Sequence, residues 1–265
     1  MKIHFLGTGA ADWDWSLPLS PEVRGSTCTL LDGKIMIDAG KTSWENLLKC
    51  NIDPAEITHL LITHTHMDHF DPEAIKKIAS APGRKKKLHV YTSPEGVLRL
   101  DRSLMTTTEL AFGKKIIIQK NIFEVLSANH MVENENEATF HFLITTPKNK
   151  RLLYALDGGW MTSYTRNKLG WIHLDMIIWD ATSGTHLNDW RFADHNNLEM
   201  IQHMRESLAN RGLVNEKTVH VFNHIAFTLW PEMESERKEA AEKYCGLVTE
   251  VLGDCGRCLE VAVGA

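Results

Sequence analysis

Residues 64 to 69 read His-Thr-His-Met-Asp-His, which puts four nitrogen or oxygen donors into six positions. In an extended segment the side chains at i and i+2 point the same way, so His64 and His66 can converge on one metal ion. Asp68 and His69 come just after, where the chain turns, and can reach a second ion. Imidazole together with carboxylate suits zinc, manganese or iron, whereas calcium and magnesium want oxygen alone. A surface histidine cluster is the competing explanation, but HxHxDH at a strand end is far more particular than a lone histidine. His195, within Arg191-Phe192-Ala193-Asp194-His195-Asn196-Asn197-Leu198, falls at the entry to a predicted helix. Free N–H groups at a helix start favour an anion, and a histidine there can hydrogen-bond a phosphate or protonate a leaving oxygen. The plainer alternative for His195 is a solvated residue near a helix cap.

The elements around these residues follow from local pattern. A strand over 2–6 runs into Gly7-Thr8-Gly9, and strands over 27–31 and 34–37 form a hairpin around Asp32-Gly33. Ser43 caps a helix to about Cys50, and the apolar run 60–62 is a strand that feeds His64. Asp71-Pro72-Glu73 and Ser93-Pro94-Glu95 open helices on either side of a strand over 88–91. Further strands are expected over 116–119, 122–126, 139–145 and 152–156. Asn196 or Asp194 caps a helix carrying Leu198, Ile201, Met204 and Leu208, and a strand over 219–222 precedes His224. A helix over 231–248 and a strand over 259–263 close the chain. There is no internal sequence repeat and no Pro/Gly/Ser linker, and the length by itself leaves one large domain or two small ones open. Two β-rich stretches, each followed by helices, suggest two sheets with helices outside.

Composition narrows the function classes. A net charge of -5 provides no overall attraction to nucleic acid, so a nucleic-acid partner is not expected. No apolar run approaches the 18 residues of a membrane span, and the start lacks a leader pattern, so a cytoplasmic protein without membrane contact is expected. Five scattered cysteines do not form a disulfide framework, and the CxxC pair Cys255 and Cys258 has no second pair to complete a zinc site. The basic run at 84–87 and the acidic stretch at 133–137 read as solvated turns.

HTHMDH, preceded by the GTG turn and by Ile37-Asp38-Ala39-Gly40, resembles the metallo-β-lactamase fold superfamily. The resemblance implies an α/β fold, the αββα four-layer sandwich, as one domain over 1–265. It also implies a later histidine after a strand, met by Ser127-Ala128-Asn129-His130, and an aspartate after a further strand, met by Asp157 of Tyr154-Ala155-Leu156-Asp157-Gly158-Gly159. A last strand-end histidine is met by His224 of Val221-Phe222-Asn223-His224. By that resemblance His64, His66 and His130 bind one ion, Asp68, His69 and His224 bind a second, and Asp157 bridges them. The implied cofactors are two divalent transition-metal ions, zinc or manganese, with iron also admissible. Glutamate at the His66 position would have suited di-iron redox members, and cysteine at the Asp157 position the class B lactamases; neither is present.

Two such ions, about 3.5 to 4 Å apart, share a hydroxide that is nucleophilic near neutral pH. The segment around His195 and Asn223-His224-Ile225-Ala226-Phe227-Thr228-Leu229-Trp230 are similar to PhnP-like cyclic phosphodiesterases, although 11–24 lacks the cysteine-rich zinc loop such proteins can carry. The resemblance therefore implies a phosphodiesterase acting on a small phosphodiester, linear or cyclic, more than it implies one cyclic sugar phosphate, with His195 and Asp68 as its catalytic residues. A homo-oligomer is compatible with it. A glyoxalase II-like thioesterase, a ribonuclease Z-like RNA-processing enzyme and a non-enzymatic binding scaffold are the alternatives. Trp13, Trp15, Trp160, Trp171, Trp190 and Trp230 are candidates to line a pocket for a base or ring, against the plainer role of packing.

Overall fold

The computed structural model describes residues 1–18, 23–248 and the backbone of 258–260. Cys255, the side chain of Cys258 and the end of the strand expected over 259–263 lie outside the described residues. The chain divides into two compact units, one of residues 1–111, 132–138 and 250–265, the other of 112–131 and 139–249.

In the first unit, β1 (Lys2–Gly7), β2 (Cys28–Leu31) and β3 (Ile35–Ile37) form an antiparallel meander. β4 (His59–Leu61), β5 (Leu88–Thr92) and β6 (Met105–Glu109) then continue the sheet parallel to β3. Every residue of β3 is buried, as expected for a strand covered on both faces. Helices α1 (Ser43–Lys49), α2 (Pro72–Ala79) and α3 (Pro94–Leu98) alternate with the parallel strands. In α2 the Asp71 side chain accepts from the Ala74 N–H at 2.7 Å and Pro72 takes the first turn, so the local rule for a helix start is met. The helix buries Ile75 and Ile78 in a core with Leu47, Leu60, Phe70 and Val90, a gain of about 2 kcal/mol for each such side chain.

The second unit repeats this plan without repeating the sequence. β7 (Lys115–Ile118), β8 (Asn121–Ser127), β9 (Phe140–Thr145) and β10 (Arg151–Ala155) are antiparallel. β11 (Met176–Asp180), β12 (Val219–Asn223) and β13 (Leu247–Val248) follow in parallel. Helices α4 (Ser163–Leu169), α5 (Leu198–Asn210) and α6 (Glu234–Lys243) belong to this unit. Finally β14 (Cys258–Glu260) pairs antiparallel with β1, which completes two mixed sheets of seven strands each.

Several local expectations are corrected. The last long helix stops at Lys243 because Cys245 takes a φ of 54° and the chain re-enters the sheet as β13. The cap of α5 is Asn197, whose side chain accepts from the Met200 N–H at 2.9 Å, rather than Asn196 or Asp194. Arg84 is no mere solvated turn residue, since its guanidinium donates to the carbonyls of Ile57, Pro54 and Ile78. Among the described residues, no helix is long and apolar enough to cross a membrane.

Two buried histidines of the second unit make stability depend on pH. His220 Nδ1 accepts from the Trp179 indole N–H at 3.1 Å, and burial holds the His220 imidazole down at about 4. Burial holds His141 down to about 4 in the same way. With an unfolded value near 6.5, the unfolded chain takes up these protons first as pH falls, so the stabilisation is complete above about 6.5 and is lost towards about 4. The melting temperature of chelator-treated protein is therefore expected to drop between pH 7 and pH 5. In His220→Gln, which keeps an acceptor for the indole but cannot titrate, that drop should be smaller, and an unaltered pH profile would count against the assignment.

Candidate metal centre

In the first unit the donors lie at the carboxyl ends of β3 and β4, where parallel strands commonly present ligands. Asp38 follows β3 with a φ of 62° and is fully buried. It accepts from the Thr63 N–H at 2.8 Å, the Thr63 hydroxyl at 2.9 Å and His69 Nδ1–H at 2.9 Å. Burial raises the Asp38 pKa, while His69 and Thr63 favour the charged form. Since the single Thr63 hydroxyl proton goes to Asp38, its oxygen is left to accept from His64 Nδ1–H at 3.0 Å. His64 and His69 thus carry hydrogen on Nδ1 and keep a lone pair on Nε2.

Those lone pairs meet further donors. His64 Nε2 lies 3.1 Å from His66 Nδ1, and His69 Nε2 lies 3.5 Å from Asp68 Oδ2. Two ligand atoms at about 2.0–2.1 Å from one tetrahedral ion stand roughly 3.3 Å apart, so each pair has the spacing of shared coordination. Gly40 allows this arrangement: a Cβ there would stand 2.1 Å from the Asp68 carbonyl oxygen, so a larger residue would push the segment that carries Asp68 and His69 away. Glu137 also belongs to this unit. It was expected at a solvated loop tip, yet it is buried, accepting from the Thr65 hydroxyl at 2.6 Å and the Ser93 hydroxyl at 3.0 Å. It grips the residue between His64 and His66.

In the second unit His130 follows β8, Asp157 follows β10, Asp180 ends β11 and His224 follows β12. His130 Nδ1–H donates to the Asp194 carbonyl at 3.2 Å, which leaves Nε2 3.7 Å from Asp157 Oδ2. His224 Nε2 is 3.3 Å from the other oxygen, Asp157 Oδ1. A single carboxylate therefore sets one oxygen towards each of two imidazoles, the disposition of a bridging ligand. The His141 Nε2–H donates to the Asp157 backbone carbonyl at 3.2 Å, and the Gly158 N–H donates to Asp180 Oδ2 at 3.0 Å, so the turn that carries Asp157 is tied down on both sides.

Asp180 and Thr182 do here what Asp38 and Thr63 do in the first unit. The Thr182 hydroxyl donates to Asp180 Oδ1 at 2.6 Å, so its oxygen accepts from His224 Nδ1–H at 2.7 Å, again leaving the lone pair on Nε2. Asp180 Oδ2 accepts from His195 Nδ1–H at 2.8 Å. Burial by itself would raise the Asp180 pKa, but the charge and hydrogen bond of His195 outweigh it and hold the carboxyl below its usual range. His195 is braced by this buried carboxylate and stands two residues before the Asn197 cap of α5. Its imidazole stacks on that of His224, with centroids 5.4 Å apart. Ligand atoms of Asp157, Asp180, His195 and His224 lie within 4.8 Å of one another.

The donor set thus fits a metal. Buried imidazoles have their second nitrogen fixed by an acceptor, as ligating histidines almost always do. Asp38, Asp157 and His224 also hold left-handed backbone, with φ of 62°, 55° and 59°. Such conformations cost L-residues about 1–2 kcal/mol, and they gather at functional sites where the surrounding structure enforces them.

A family description of the anti-Pycsar protein Apyc1 matches residues 1–211 of this chain. The chain belongs to the Apyc1 family. This Apyc1-family chain is also 28% identical over 145 residues to ribonuclease Z of Lactobacillus gasseri, an alignment covering 48% of this chain and 44% of that protein. It spans less than half the length of the curated relatives it matches. The metallo-β-lactamase fold protein YhfI of Bacillus subtilis superposes with a TM-score of 0.72 at 12% identity, over 98% of this chain and 99% of its own. A diphosphatase of the PhnP family gives 0.69 at 16% identity, over 97% and 96%. The Apyc1-family chain therefore has the metallo-β-lactamase fold, as its motifs imply.

Sequence reasoning quoted Asp38 without giving it a role, and it missed Thr63, His141, Asp180 and Thr182. The five residues of β11, Met-Ile-Ile-Trp-Asp, were the available signal for Asp180, because an apolar run ending in an acid copies the pattern before His64. Of the six candidate tryptophans, Trp13 and Trp230 are buried, Trp15 is half-buried and donates its indole N–H to the Arg24 carbonyl at 3.2 Å, and Trp160, Trp171 and Trp190 are exposed.

Proposed function

We propose that this chain is a metal-dependent phosphodiesterase that cleaves a small, cyclic phosphodiester, as one hydrolase domain over 1–265. The observation that carries this reading is the Asp157 carboxylate, with one oxygen towards His130 and the other towards His224, beside the His195–Asp180 pair. His64, His66 and His130 would hold one divalent transition-metal ion, Asp68, His69 and His224 a second, and Asp157 would bridge them. Zinc or manganese suits the donors best, and iron is admissible. When bound, two such ions supply a hydroxide nucleophile near neutral pH and positive charge for phosphoryl oxygens.

The chain's own residues supply the rest. His195, with Nδ1–H committed to Asp180, has Nε2 as its working nitrogen, and in the imidazolium form Nε2–H is the proton for the departing oxygen. Asp180 favours that imidazolium, as a buried carboxylate partner does in other hydrolases. Asp68 would serve as a ligand, and its carboxylate can take up the proton that water releases on becoming the hydroxide. Apyc1 is a cyclic nucleotide phosphodiesterase, which supports a cyclic phosphodiester over a linear one. The identity to ribonuclease Z favours RNA processing as a second reading, against which stands the net charge of -5. Scattered cysteines and the absence of an apolar span favour the cytoplasm, and the reading admits a homo-oligomer.

Metal-reconstituted protein should be assayed on bis-p-nitrophenyl phosphate, 2',3'- and 3',5'-cyclic nucleotides, ribosyl cyclic phosphate, a tRNA precursor, S-lactoylglutathione and a cephalosporin. The highest kcat/KM is expected on a cyclic phosphodiester. A thioester preferred over every phosphodiester would replace this reading with the glyoxalase II-like one, and a tRNA precursor preferred over every small substrate with the ribonuclease Z-like one.

A further inference from the structure

The second unit holds a cavity of about 650 Å³ away from its proposed metal ligands, within the size range of sites for small organic molecules. Thr218 and His220, at and near the start of β12, line it, whereas His224 follows the end of the same strand. Four residues of extended chain set His220 about 13 Å from His224. A small molecule held at His220 therefore does not reach the metal centre.

The cavity wall is rich in donors that lack acceptors. His220 is only 7% exposed, and its Nδ1 accepts from the Trp179 indole N–H at 3.1 Å, so the neutral ring carries its proton on Nε2. Among the described residues that N–H has no acceptor, and a buried donor is costly to leave unpaired. Arg205, on α5, lines the same cavity and stands close enough for its positive charge to disfavour a second proton on His220. Its Nη1 donates to the backbone carbonyls of Tyr244 and Cys245, which holds the guanidinium in place. Nε–H and Nη2 are left without an acceptor among the described residues. Asn215 is a third donor, because its side-chain oxygen accepts from the Lys217 N–H at 2.9 Å and leaves the amide nitrogen over. Solvated donors on a surface are ordinary, and Arg205 or Asn215 alone would mean nothing. A buried imidazole N–H on the same wall asks for an acceptor from outside the chain.

We propose that this cavity is a second ligand site, which takes a small organic acid whose carboxylate is held by Arg205, His220 and Asn215. A guanidinium and neutral donors suit a carboxylate, which accepts through two oxygens. Glu216 also lines the cavity and balances the charge of Arg205, so a monoanion is favoured over a phosphate dianion. Val214 and Ala209 give the hydrocarbon part of the acid an apolar wall. The site is independent of the phosphodiesterase reading.

Butyrate and benzoate are the probes, with butyramide and benzamide as neutral counterparts and inorganic phosphate as the dianion. Cys245 is an exposed thiol lining the cavity, so its rate of alkylation by N-ethylmaleimide, read by peptide mass spectrometry, reports occupancy without turnover. In the full-length, metal-loaded protein a carboxylate at ten times its dissociation constant is expected to slow that rate about tenfold. Arg205→Met should weaken the carboxylate by about tenfold to a hundredfold, each variant being compared with its own ligand-free rate because Arg205 also holds the Cys245 carbonyl. Asn215→Ala, at an exposed position and so safer for folding, should weaken it by a few-fold. Failure of both carboxylates to protect Cys245 would overturn the proposal, as would amides that protect as well as the acids. Phosphate protecting better than the carboxylates, or protection undiminished in both variants, would overturn it too.

Discussion

Asp157→Ala is expected to lose most of both metal ions and to lower kcat by on the order of 10³ or more, because one carboxylate faces two imidazoles through separate oxygens. Wild type purified without chelators should carry close to two transition-metal ions per chain by elemental analysis. His224→Ala, which removes a ligand proposed for one ion only, should keep about half of the wild-type content. The turn that holds Asp157 is tied by His141 and Asp180 through backbone groups, so truncating the side chain leaves its anchoring intact. A folded Asp157→Ala protein with full metal would remove the bridging assignment. Full activity in metal-free wild type would remove the metal-dependent reading altogether.

His195→Ala should keep both ions, because Nδ1 is committed to Asp180 and the residue is assigned to the leaving group. Its kcat should fall by roughly 10² to 10⁴, the contribution of a positioned acid or base. The loss should shrink with p-nitrophenolate as leaving group, since a weakly basic oxygen departs with little help from a proton. Asp180→Asn gives the matching result for the brace. An amide can donate where the carboxylate only accepts, which favours the wrong tautomer of His195, so the same dependence on leaving group should appear with His195 present. A His195→Ala enzyme with full metal, wild-type kcat and no leaving-group dependence would return His195 to an ordinary surface histidine.

Both predictions depend on a division of labour between ligands and braces that recurs in the two units. Asp38 with Thr63 sets the tautomers of His64 and His69, and Asp180 with Thr182 sets those of His195 and His224. In both units the acid and the threonine are brought in at the ends of parallel strands, β3 and β4 in the first, β11 in the second. The likeness is one of topology and proton bookkeeping, with no matching stretch of residues behind it.

The sequence by itself determined what local pattern can carry. Alternation along a strand end put His64 and His66 on one side, apolar runs and turn residues marked most strands, and cap-then-proline signals marked the starts of α2 and α3. The resemblance carried by HTHMDH, with His130, Asp157 and His224 in order, was enough for the fold. Tertiary structure alone decided the braces, because they join residues far apart in the chain. Asp38 meets Thr63 across 25 residues and His69 across 31, and Thr182 meets His224 across 42. No propensity or spacing rule reaches that far: these contacts follow from which parallel strands become neighbours and in what register, here Ile37 beside Leu61 and Asp180 beside Asn223. The burial of Glu137 has the same origin, since a carboxylate in an acidic run reads as solvated until two hydroxyls, 72 and 44 residues earlier in the chain, are folded onto it.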